Sequence, residues 1–375
     1  ALWFGAADEE LALAIAQLSP FVQLAIVDED AQRVERLRQQ IDRAGRYGTV
    51  TVHHSTPEQF SASPYLAHQV FAGAELSERL AGNAEALKAI YEAVRPYGGT
   101  LQLLAEPQVQ SAIAEQVTAM KLERAEVEPM AEAVRLTRVG ALPGSGDWTH
   151  QHGNIANTRK SDDARVRLPL GLLWFGGSSN MDVLPRHGHG PSQQVVDGKL
   201  YIQGIDVLSC RDVYTGRVLW QRRFDDLGTF DVYYNDTYKE TPLDPSYNQV
   251  HIPGANARGT NYVVTADRVY IVEGSVCHVL DSSNGELLQD IALPQEDSGD
   301  PNEWGFLGVY GDVLIGGVGF AKYRERLDLS FEEEDAKLSG NKAGFGSKSL
   351  DRAGSMALVG MDRKTGSVLW KIDAR

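Results

Sequence analysis

The sequence has few cysteines, no long apolar run and no excess of positive charge. Its two cysteines, Cys210 and Cys277, are too few for the disulfide framework of a small secreted scaffold. The 36 Lys and Arg against 51 Asp and Glu give a formal net charge of −15, which argues against a nucleic-acid partner because DNA binding needs a basic surface. No apolar stretch approaches the roughly 18 residues that a membrane-spanning helix requires, so we expect no transmembrane segment.

The composition is that of an ordinary globular protein. Hydrophobic residues make up 42% and charged residues 23%, which excludes the disordered, collagen-like and coiled-coil classes. At roughly 150 residues per domain, a chain of 375 residues predicts two or three domains. Strand-like runs begin at Ala1 and stop just before Arg375, which predicts that the chain is a fragment of a longer polypeptide.

Composition changes near residue 146. Five of the six tryptophans and 27 of the 37 glycines follow that position. The first part is rich in Ala, Glu, Gln and Leu with helical spacing, and the second is rich in Gly, Val, Tyr and Asp with strand spacing. We therefore predict an α/β domain over residues 1–142, a linker over 143–147 and an all-β domain over 148–375.

The first part alternates apolar runs with amphipathic segments, which implies a largely parallel sheet covered by helices. The expected strands are 2–5, 24–28, 49–53, 68–71 and 100–104, the expected helices are 8–17, 33–44 and 84–94, and two further strand candidates, 124–128 and 133–139, are placed to pair as a terminal hairpin. In such sheets ligands bind at the carboxyl ends of the strands. Asp28 follows Gly5 by 23 residues, the spacing of an acid that holds a ribose hydroxyl.

Several motifs of this part resemble the class I S-adenosylmethionine-dependent methyltransferases. The matching pieces are the first strand into Gly5, the acid Asp28, the run 50–55 and the turn at 95–99 before the fifth strand. The resemblance implies a Rossmann-like, methyltransferase-type sheet with S-adenosylmethionine as its cofactor. It makes Gly5, Asp28 and Ser55 the candidate cofactor-binding residues.

The first loop departs from the family pattern. The family carries several glycines there so that the backbone approaches the cofactor closely, whereas residues 5–10 read Gly-Ala-Ala-Asp-Glu-Glu. Ser55 stands where the family has an acid for the adenine. Alanines hinder close approach and the three acids repel the carboxylate of the cofactor. These departures favour a degenerate domain that keeps the fold without the cofactor, and a cofactor-binding methyltransferase is the alternative.

The second part contains an internal repeat. Three segments, 212–220, 281–289 and 362–370, share an Asp, three residues, a Gly and an apolar run ending in Trp or Gln. Each predicts a hairpin in which the Asp caps the turn and the Gly supplies the positive φ. A strand pair precedes each hairpin, so each unit has about four strands, as in a propeller blade. Insertions are expected at about 225–260 and 294–350, and residues 171–174 are expected to open the first blade.

These repeats resemble the pyrroloquinoline-quinone-like propeller repeats of quinoprotein alcohol dehydrogenases and outer-membrane assembly lipoproteins. The match covers about 148–375 and includes the tryptophan motif that docks neighbouring blades. It implies an incomplete β-propeller of about three four-stranded blades, with pyrroloquinoline quinone and calcium as candidate cofactors. It also implies a protein or small-molecule partner at the propeller face. Cys210 and Cys277 are not adjacent, unlike the vicinal pair of many family members, and no cofactor ligand set is assigned by motif.

Two His-x-His pairs, His150 with His152 and His187 with His189, stand among the nine histidines. In an extended segment residues i and i+2 face the same side, so each pair has the geometry to chelate a divalent metal. The alternative is that these are loop histidines with backbone hydrogen bonds, because no carboxylate stands at a fixed spacing from them.

Three functions follow from these patterns. The favoured one is a non-catalytic binding or assembly module, in which a degenerate methyltransferase-like domain is joined to a propeller. The alternatives are an oxidoreductase that uses pyrroloquinoline quinone through ligands beyond this chain, and a methyltransferase whose propeller recognises the substrate. The propeller resemblance favours the periplasm, whereas S-adenosylmethionine is cytoplasmic, and on balance we expect an exported protein.

Overall fold

The computed structural model describes residues 1–5, 10, 14, 23–174, 183, 192–204, 206–225, 227, 261–295, 301–318 and 355–373. The chain divides into two compact units, Ala1–Ser145 with Arg167–Phe175 and Gly146–Val166 with Gly176–Arg375. The domain boundaries at 142 and 148 stay predictions. Within these ranges, no helix is long and apolar enough to cross a membrane.

The first unit contains a seven-stranded sheet. Its strands are β1 (Leu2–Phe4), β2 (Leu24–Asp28), β3 (Val50–His54), β4 (Gln69–Ala72), β5 (Gly99–Leu104), β6 (Ala125–Pro129) and β7 (Ala133–Arg138). In space they lie in the order β3-β2-β1-β4-β5-β7-β6. The first five pair in parallel, and β7 runs antiparallel to both β5 and β6. This order confirms the methyltransferase-type sheet and its terminal antiparallel pair.

Four helices of this unit lie among the described residues: α1 (Ala31–Arg43), α2 (Ala74–Ala81), α3 (Ala84–Glu92) and α4 (Pro107–Met120). Helices α1 and α3 agree with the sequence prediction, whereas α2 and α4 were not predicted. The α2 helix has only eight residues and no side-chain cap, and α4 buries only three residues, one of them the polar Gln110. Except for residues 10 and 14, the helix predicted at 8–17 lies outside the described residues.

Helix α1 shows why these local sequences fold as they do. Asp30 caps its first turn, because the Asp30 carboxylate accepts the backbone N–H groups of Gln32 and Arg33 at 2.8 and 3.2 Å. The apolar residues of the helix recur at three- and four-residue spacing and face the sheet. Those that are buried, with the strand residues they pack against, are Val34, Leu37, Ile41, Trp3, Leu24, Ile26, Val50 and Val52.

The second unit contains three four-stranded antiparallel sheets. Blade 1 consists of β8 (Gln194–Val196), β9 (Lys199–Gly204), β10 (Val207–Asp212) and β11 (Val218–Arg223); blade 2 of β12 (Tyr262–Val264), β13 (Arg268–Glu273), β14 (Val276–Asp281) and β15 (Leu287–Ala292); blade 3 of β16 (Trp304–Tyr310), β17 (Val313–Val318), β18 (Ala357–Asp362) and β19 (Val368–Asp373). Within each sheet the strands pair in chain order, which is the meander of a propeller blade. The predicted blades are therefore confirmed.

The repeated motif forms the turn between the third and fourth strand of each blade. In blade 1 the Asp212 carboxylate accepts the N–H groups of Tyr214 and Thr215, both at 2.9 Å, and Gly216 has φ +70°. The two later turns repeat this arrangement, with φ +75° at each glycine. The physical basis predicted for the repeat, an Asp cap and a left-handed Gly, is thus present in all three blades.

The blades pack through apolar clusters and through one buried amide. Gln194 of β8 donates from Nε2 to the backbone oxygen of Tyr262 at 2.7 Å and accepts the Val264 N–H at 2.9 Å, so it links blade 1 to blade 2. Residues 171–174 lie in irregular structure and do not open a blade. Most of the two expected insertions lies outside the described residues, but the described part of the second one forms β16 and β17 of blade 3, so the insertion predicted at 294–350 was wrong over that stretch.

Candidate functional site

Gly5, Asp28 and Ser55 meet at the carboxyl ends of three neighbouring strands. The Gly5 N–H donates to Val27 O at 2.9 Å, and the Ser55 N–H donates to Asp28 O at 3.1 Å. This proximity follows from the strand order, because β1, β2 and β3 are adjacent and parallel. The three residues selected from the sequence therefore do lie close together. Their role in cofactor binding stays a prediction.

Gly73 belongs to the same edge, although sequence reasoning did not select it. It directly follows β4, and its N–H donates to Phe4 O at 3.3 Å. A Cβ on Gly73 would lie 2.9 Å from the backbone oxygen of Gly5, which is closer than a side chain tolerates. The feature of the sequence that could have identified Gly73 is its position directly after an apolar strand.

The Asp28 carboxylate is buried and bound within the chain. Its Oδ1 accepts the backbone N–H of Asp30 at 2.8 Å, and its Oδ2 accepts Nη1 of Arg33 at 3.2 Å. Arg33 is on the first turn of α1, so Asp28 fixes the passage from β2 into that helix. Both carboxylate oxygens already have partners in the position where a ribose hydroxyl would be held.

Further charged groups line this edge of the sheet. Arg79 of α2 donates to Glu29 at 2.8 Å and to Glu58 at 3.4 Å, and His54 Nε2 lies 3.1 Å from the Glu29 backbone oxygen. Glu29 follows β2 and Glu58 follows β3, so Arg79 connects elements on different strands. Sequence reasoning missed this ion-pair network, because no local motif relates residues 29, 58 and 79.

The described residues fit S-adenosylmethionine poorly. Ribose recognition needs a carboxylate oxygen that accepts a hydroxyl, and each oxygen of Asp28 already accepts one hydrogen bond from a protein group, so a hydroxyl would have to use the second lone pair of an oxygen fixed at the start of α1. The Ser55 hydroxyl donates to Thr56 O at 3.2 Å, and it supplies no charge for the adenine. When bound, the cofactor would supply a methyl group; Gly5, Asp28 and Ser55 are the residues that would hold it.

His150 is buried and uses both ring nitrogens. Its Nε2 accepts the Val309 N–H at 3.1 Å, and its Nδ1 lies 2.7 Å from the Thr149 hydroxyl. An Nε2 that accepts is unprotonated, so the imidazole is neutral with its proton on Nδ1. Burial lowers the pKa of His150 to about 4. Metal binding through His150 would require one of these hydrogen bonds to break.

His152 lies two residues further on and is only partly buried. Burial and, secondarily, the charge of Arg159 lower its pKa. His187 and His189 lie outside the described residues. Within the described ranges, no three His, Cys, Asp or Glu side chains group so as to hold a metal ion. The four-histidine metal site therefore stays a prediction.

Residues 148–155, which we call the tie segment, reach all three blades. Trp148 exchanges two backbone hydrogen bonds with Val195 at 2.7 and 2.9 Å, and Thr149 O accepts the Val264 N–H at 3.4 Å. His150 makes the third contact, because its Nε2 accepts the N–H of Val309 in blade 3. Each contact is to the first strand of a blade (β8, β12 and β16), so the tie segment links the first strands of all three blades.

Both cysteines are buried and free. Burial raises the pKa of Cys210 to about 12 and also raises that of Cys277, which makes both thiols poor nucleophiles and poor ligands at neutral pH. They lie in two different blade cores, as expected for small buried strand residues. No group of three His, Cys, Asp or Glu side chains in the described part of the blades could hold a metal ion such as calcium.

Strand order and blade structure together define the class of protein: a methyltransferase-type α/β sheet and three four-stranded propeller-type blades in one chain. No protein-family model and no curated protein matches this sequence. Solved structures that resemble it fall into two groups, one for each unit.

The first group contains quinohemoprotein alcohol dehydrogenases. The enzyme from Comamonas testosteroni is 16% identical with a TM-score of 0.35, over 61% of this chain and 27% of that chain. The enzyme ADHIIG from Pseudomonas putida HK5 is 15% identical with a TM-score of 0.34, over 61% and 26%. The present chain thus spans about a quarter of the length of these dehydrogenases.

The second group contains methyltransferases. A SAM-dependent methyltransferase from Aquifex aeolicus is 10% identical with a TM-score of 0.30, over 36% of this chain and 79% of that chain. Likeness at such identities concerns the fold alone, and the fold assignment rests on the strand order and pairing described above.

Proposed function

We propose that the chain is a non-catalytic binding or assembly module whose α/β domain keeps the methyltransferase-type fold without using the cofactor. The observation that carries the proposal is the buried Asp28 carboxylate, held by Arg33 and by the Asp30 N–H. A ribose hydroxyl would have to share a carboxylate that already holds an ion pair with the partly exposed Arg33 and a backbone N–H, both of which fix Asp28 at the start of α1. A protein or small-molecule partner at the propeller face, and an exported location, belong to the same proposal.

Titration calorimetry with S-adenosylmethionine tests this proposal. We expect no saturable heat with the wild-type chain. The matched variant is Arg33→Ala, which removes the competing guanidinium and leaves Asp28 in place. Any latent binding should become measurable in that variant first.

The methyltransferase alternative has one observation in its favour, which is that Gly5, Asp28 and Ser55 lie together at the carboxyl ends of their strands. It predicts 1:1 binding by the wild-type chain with a micromolar Kd, abolished by Asp28→Asn in a variant that retains the wild-type circular dichroism. That pair of results would overturn the non-catalytic proposal.

A further inference from the structure

Arg79 binds two carboxylates that belong to the segments after different strands. Its Nη1 donates to Oε1 of Glu29 at 2.8 Å, and its Nη2 lies 3.4 Å from Oε1 of Glu58. Glu29 directly follows β2, Glu58 lies in the segment that follows β3, and Arg79 itself stands on α2, which follows β4. One guanidinium therefore joins the segments that leave three strands of the sheet.

The two ends of the contact between Arg79 and Glu29 belong to opposite faces of the sheet. Trp3 and Phe4 are consecutive residues of β1, so their side chains point to opposite faces. Helix α1, which begins shortly after Glu29, packs in the core cluster of Trp3, whereas α2 packs in the core cluster of Phe4. Strand β1 lies between β2 and β4 in the sheet. The contact therefore passes over the carboxyl end of β1.

All three side chains of this network are partly open to solvent. The exposed fraction is 44% for Arg79, 43% for Glu29 and 41% for Glu58. Exposed ion pairs of this kind contribute little to stability individually, and salt screens them. We call Glu29, Arg79 and Glu58 the edge strap, because they cross the carboxyl edge and are joined by ion pairs that break easily.

We propose that the edge strap is a salt-sensitive closure of the carboxyl edge of the sheet. In sheets of this type ligands bind outside the carboxyl ends of the strands, so a ligand at this edge lies in the space that the edge strap spans. Entry of a ligand requires Arg79 to release Glu29, Glu58 or both. The inference goes beyond the proposed binding role, since it concerns access to the edge whatever molecule occupies it.

Amide hydrogen exchange tests the closure at three backbone hydrogen bonds of the same edge. They run from the N–H groups of Gly5, Ser55 and Gly73 to the backbone oxygens of Val27, Asp28 and Phe4. An open edge strap releases the loops after β2 and β3 and the start of α2, and local opening of this kind sets the exchange rate of such amides.

The variant Arg79→Met removes the charge and keeps a long side chain with good helix propensity. We expect the three amides to exchange about 2- to 30-fold faster in this variant than in the wild type. This range corresponds to the loss of two exposed ion pairs.

Salt and a matched variant separate the edge strap from a general loss of stability. In about 1 M NaCl the Debye length is about 3 Å, so the wild-type amides should approach the exchange rates of Arg79→Met, and the variant itself should respond little. Lys88→Met breaks another exposed ion pair, with Glu92 on α3. It should leave all three amides at the wild-type rate.

The carboxylates provide an independent second test. Glu29→Gln combined with Glu58→Gln should accelerate the same three amides. Adding Arg79→Met to that pair should change the rates little, because the effects of groups in one network are not additive. The pair also keeps the inference testable if Arg79→Met alone fails to fold.

Equal exchange rates of the three amides in the wild type and in Arg79→Met would overturn the inference. A full additional acceleration by Arg79→Met in the chain that already lacks both carboxylates would also overturn it, because Arg79 would then act through another contact. None of these measurements involves S-adenosylmethionine, so failure here is distinguishable from failure of the proposed function.

Discussion

A buried imidazole that accepts a backbone N–H must stay neutral, and His150 is such a group. Protonating Nε2 would turn the acceptor of the Val309 N–H into a second donor facing it. The ordinary histidine pKa near 6.5 falls to about 4 through burial. Because the folded state binds the proton less tightly than the unfolded state, folding stability decreases as pH falls through this window.

We predict that the second unit loses up to about 3 kcal/mol of unfolding free energy between pH 6.5 and pH 4 through His150 alone. The loss begins below the unfolded pKa and is complete near the folded one. Urea unfolding at half-unit pH intervals, compared between wild type and His150→Gln, measures it. The Gln side chain also accepts an N–H but does not titrate.

The His150→Gln variant should show a flatter stability profile over this range. Carboxylates whose pKa is lowered in the folded state, such as Asp163 and Asp362, change folding stability below pH 4. They do so equally in the wild type and in the His150→Gln variant. Equal slopes for the two proteins between pH 6.5 and pH 4 would show that His150 is not the titrating group.

Individual residues differ in how far their contacts could be predicted from the sequence. Asp28 and Gly5 were predictable as neighbours, because strand order follows from alternation and their positions follow from spacing. Arg33, the partner of Asp28, was not predictable, because its choice between Asp28 and solvent depends on a side-chain conformation that α1 imposes. That one contact changes Asp28 from a free ligand into a helix anchor.

Among the elements, the contact between Trp220 and the blade 2 turn gives a sharp stability test. Gly285 has φ +75° and would place a Cβ against the Trp220 ring, whereas Gly274 in the same blade has φ +59° with nothing within 4 Å of its Cβ. Gly285→Ala should therefore cost about 1–3 kcal/mol more than Gly274→Ala. The urea unfolding midpoints of the two variants measure the difference. Equal losses of stability would show that the Trp220 ring moves aside without a measurable cost.

Elements with a local signature were predicted, and those without one were missed. The hairpin turns carry their Asp cap and left-handed Gly in the sequence itself, and all three form. Helix α2 has no side-chain cap, and the start of α4 is marked only by Pro107 in its first turn. Their apolar spacing is short or diluted, and packing against the sheet stabilises them more than local propensity does.

For the whole molecule, binding of pyrroloquinoline quinone can be tested directly on this chain. The quinoprotein alternative places its cofactor ligands beyond this chain, so it agrees with the proposed binding module that these blades alone hold no quinone and calcium. We expect this chain to show no change in absorbance or Tm on addition of pyrroloquinoline quinone with calcium, since no three His, Cys, Asp or Glu side chains of the described residues group so as to hold the calcium ion. A stoichiometric shift in the quinone spectrum, reversed by a chelator, would contradict this expectation.

At this scale the sequence showed that there are two kinds of structure and roughly where one replaces the other. The tryptophan motif indicated one contact between neighbouring blades, but the sequence did not show the other contacts that hold the blades together. Gln194 and the tie segment act across long stretches of chain, and no repeat or spacing marks them. Such contacts are decided by three-dimensional packing, which is why Gln194 looked like an ordinary strand residue.

The tie segment also sets an order of events during synthesis. Its hydrogen bonds to blades 1, 2 and 3 join residues 47, 115 and 159 positions apart. At a synthesis rate of about 5–20 residues per second on the ribosome, Val309 is added to the chain roughly 8–32 s after His150. Until then the His150 Nε2 has no Val309 N–H to accept. Blade 1 therefore assembles around the tie segment first and blade 3 last, and a nascent chain stalled before residue 309 should expose an imidazole that still titrates near its ordinary pKa.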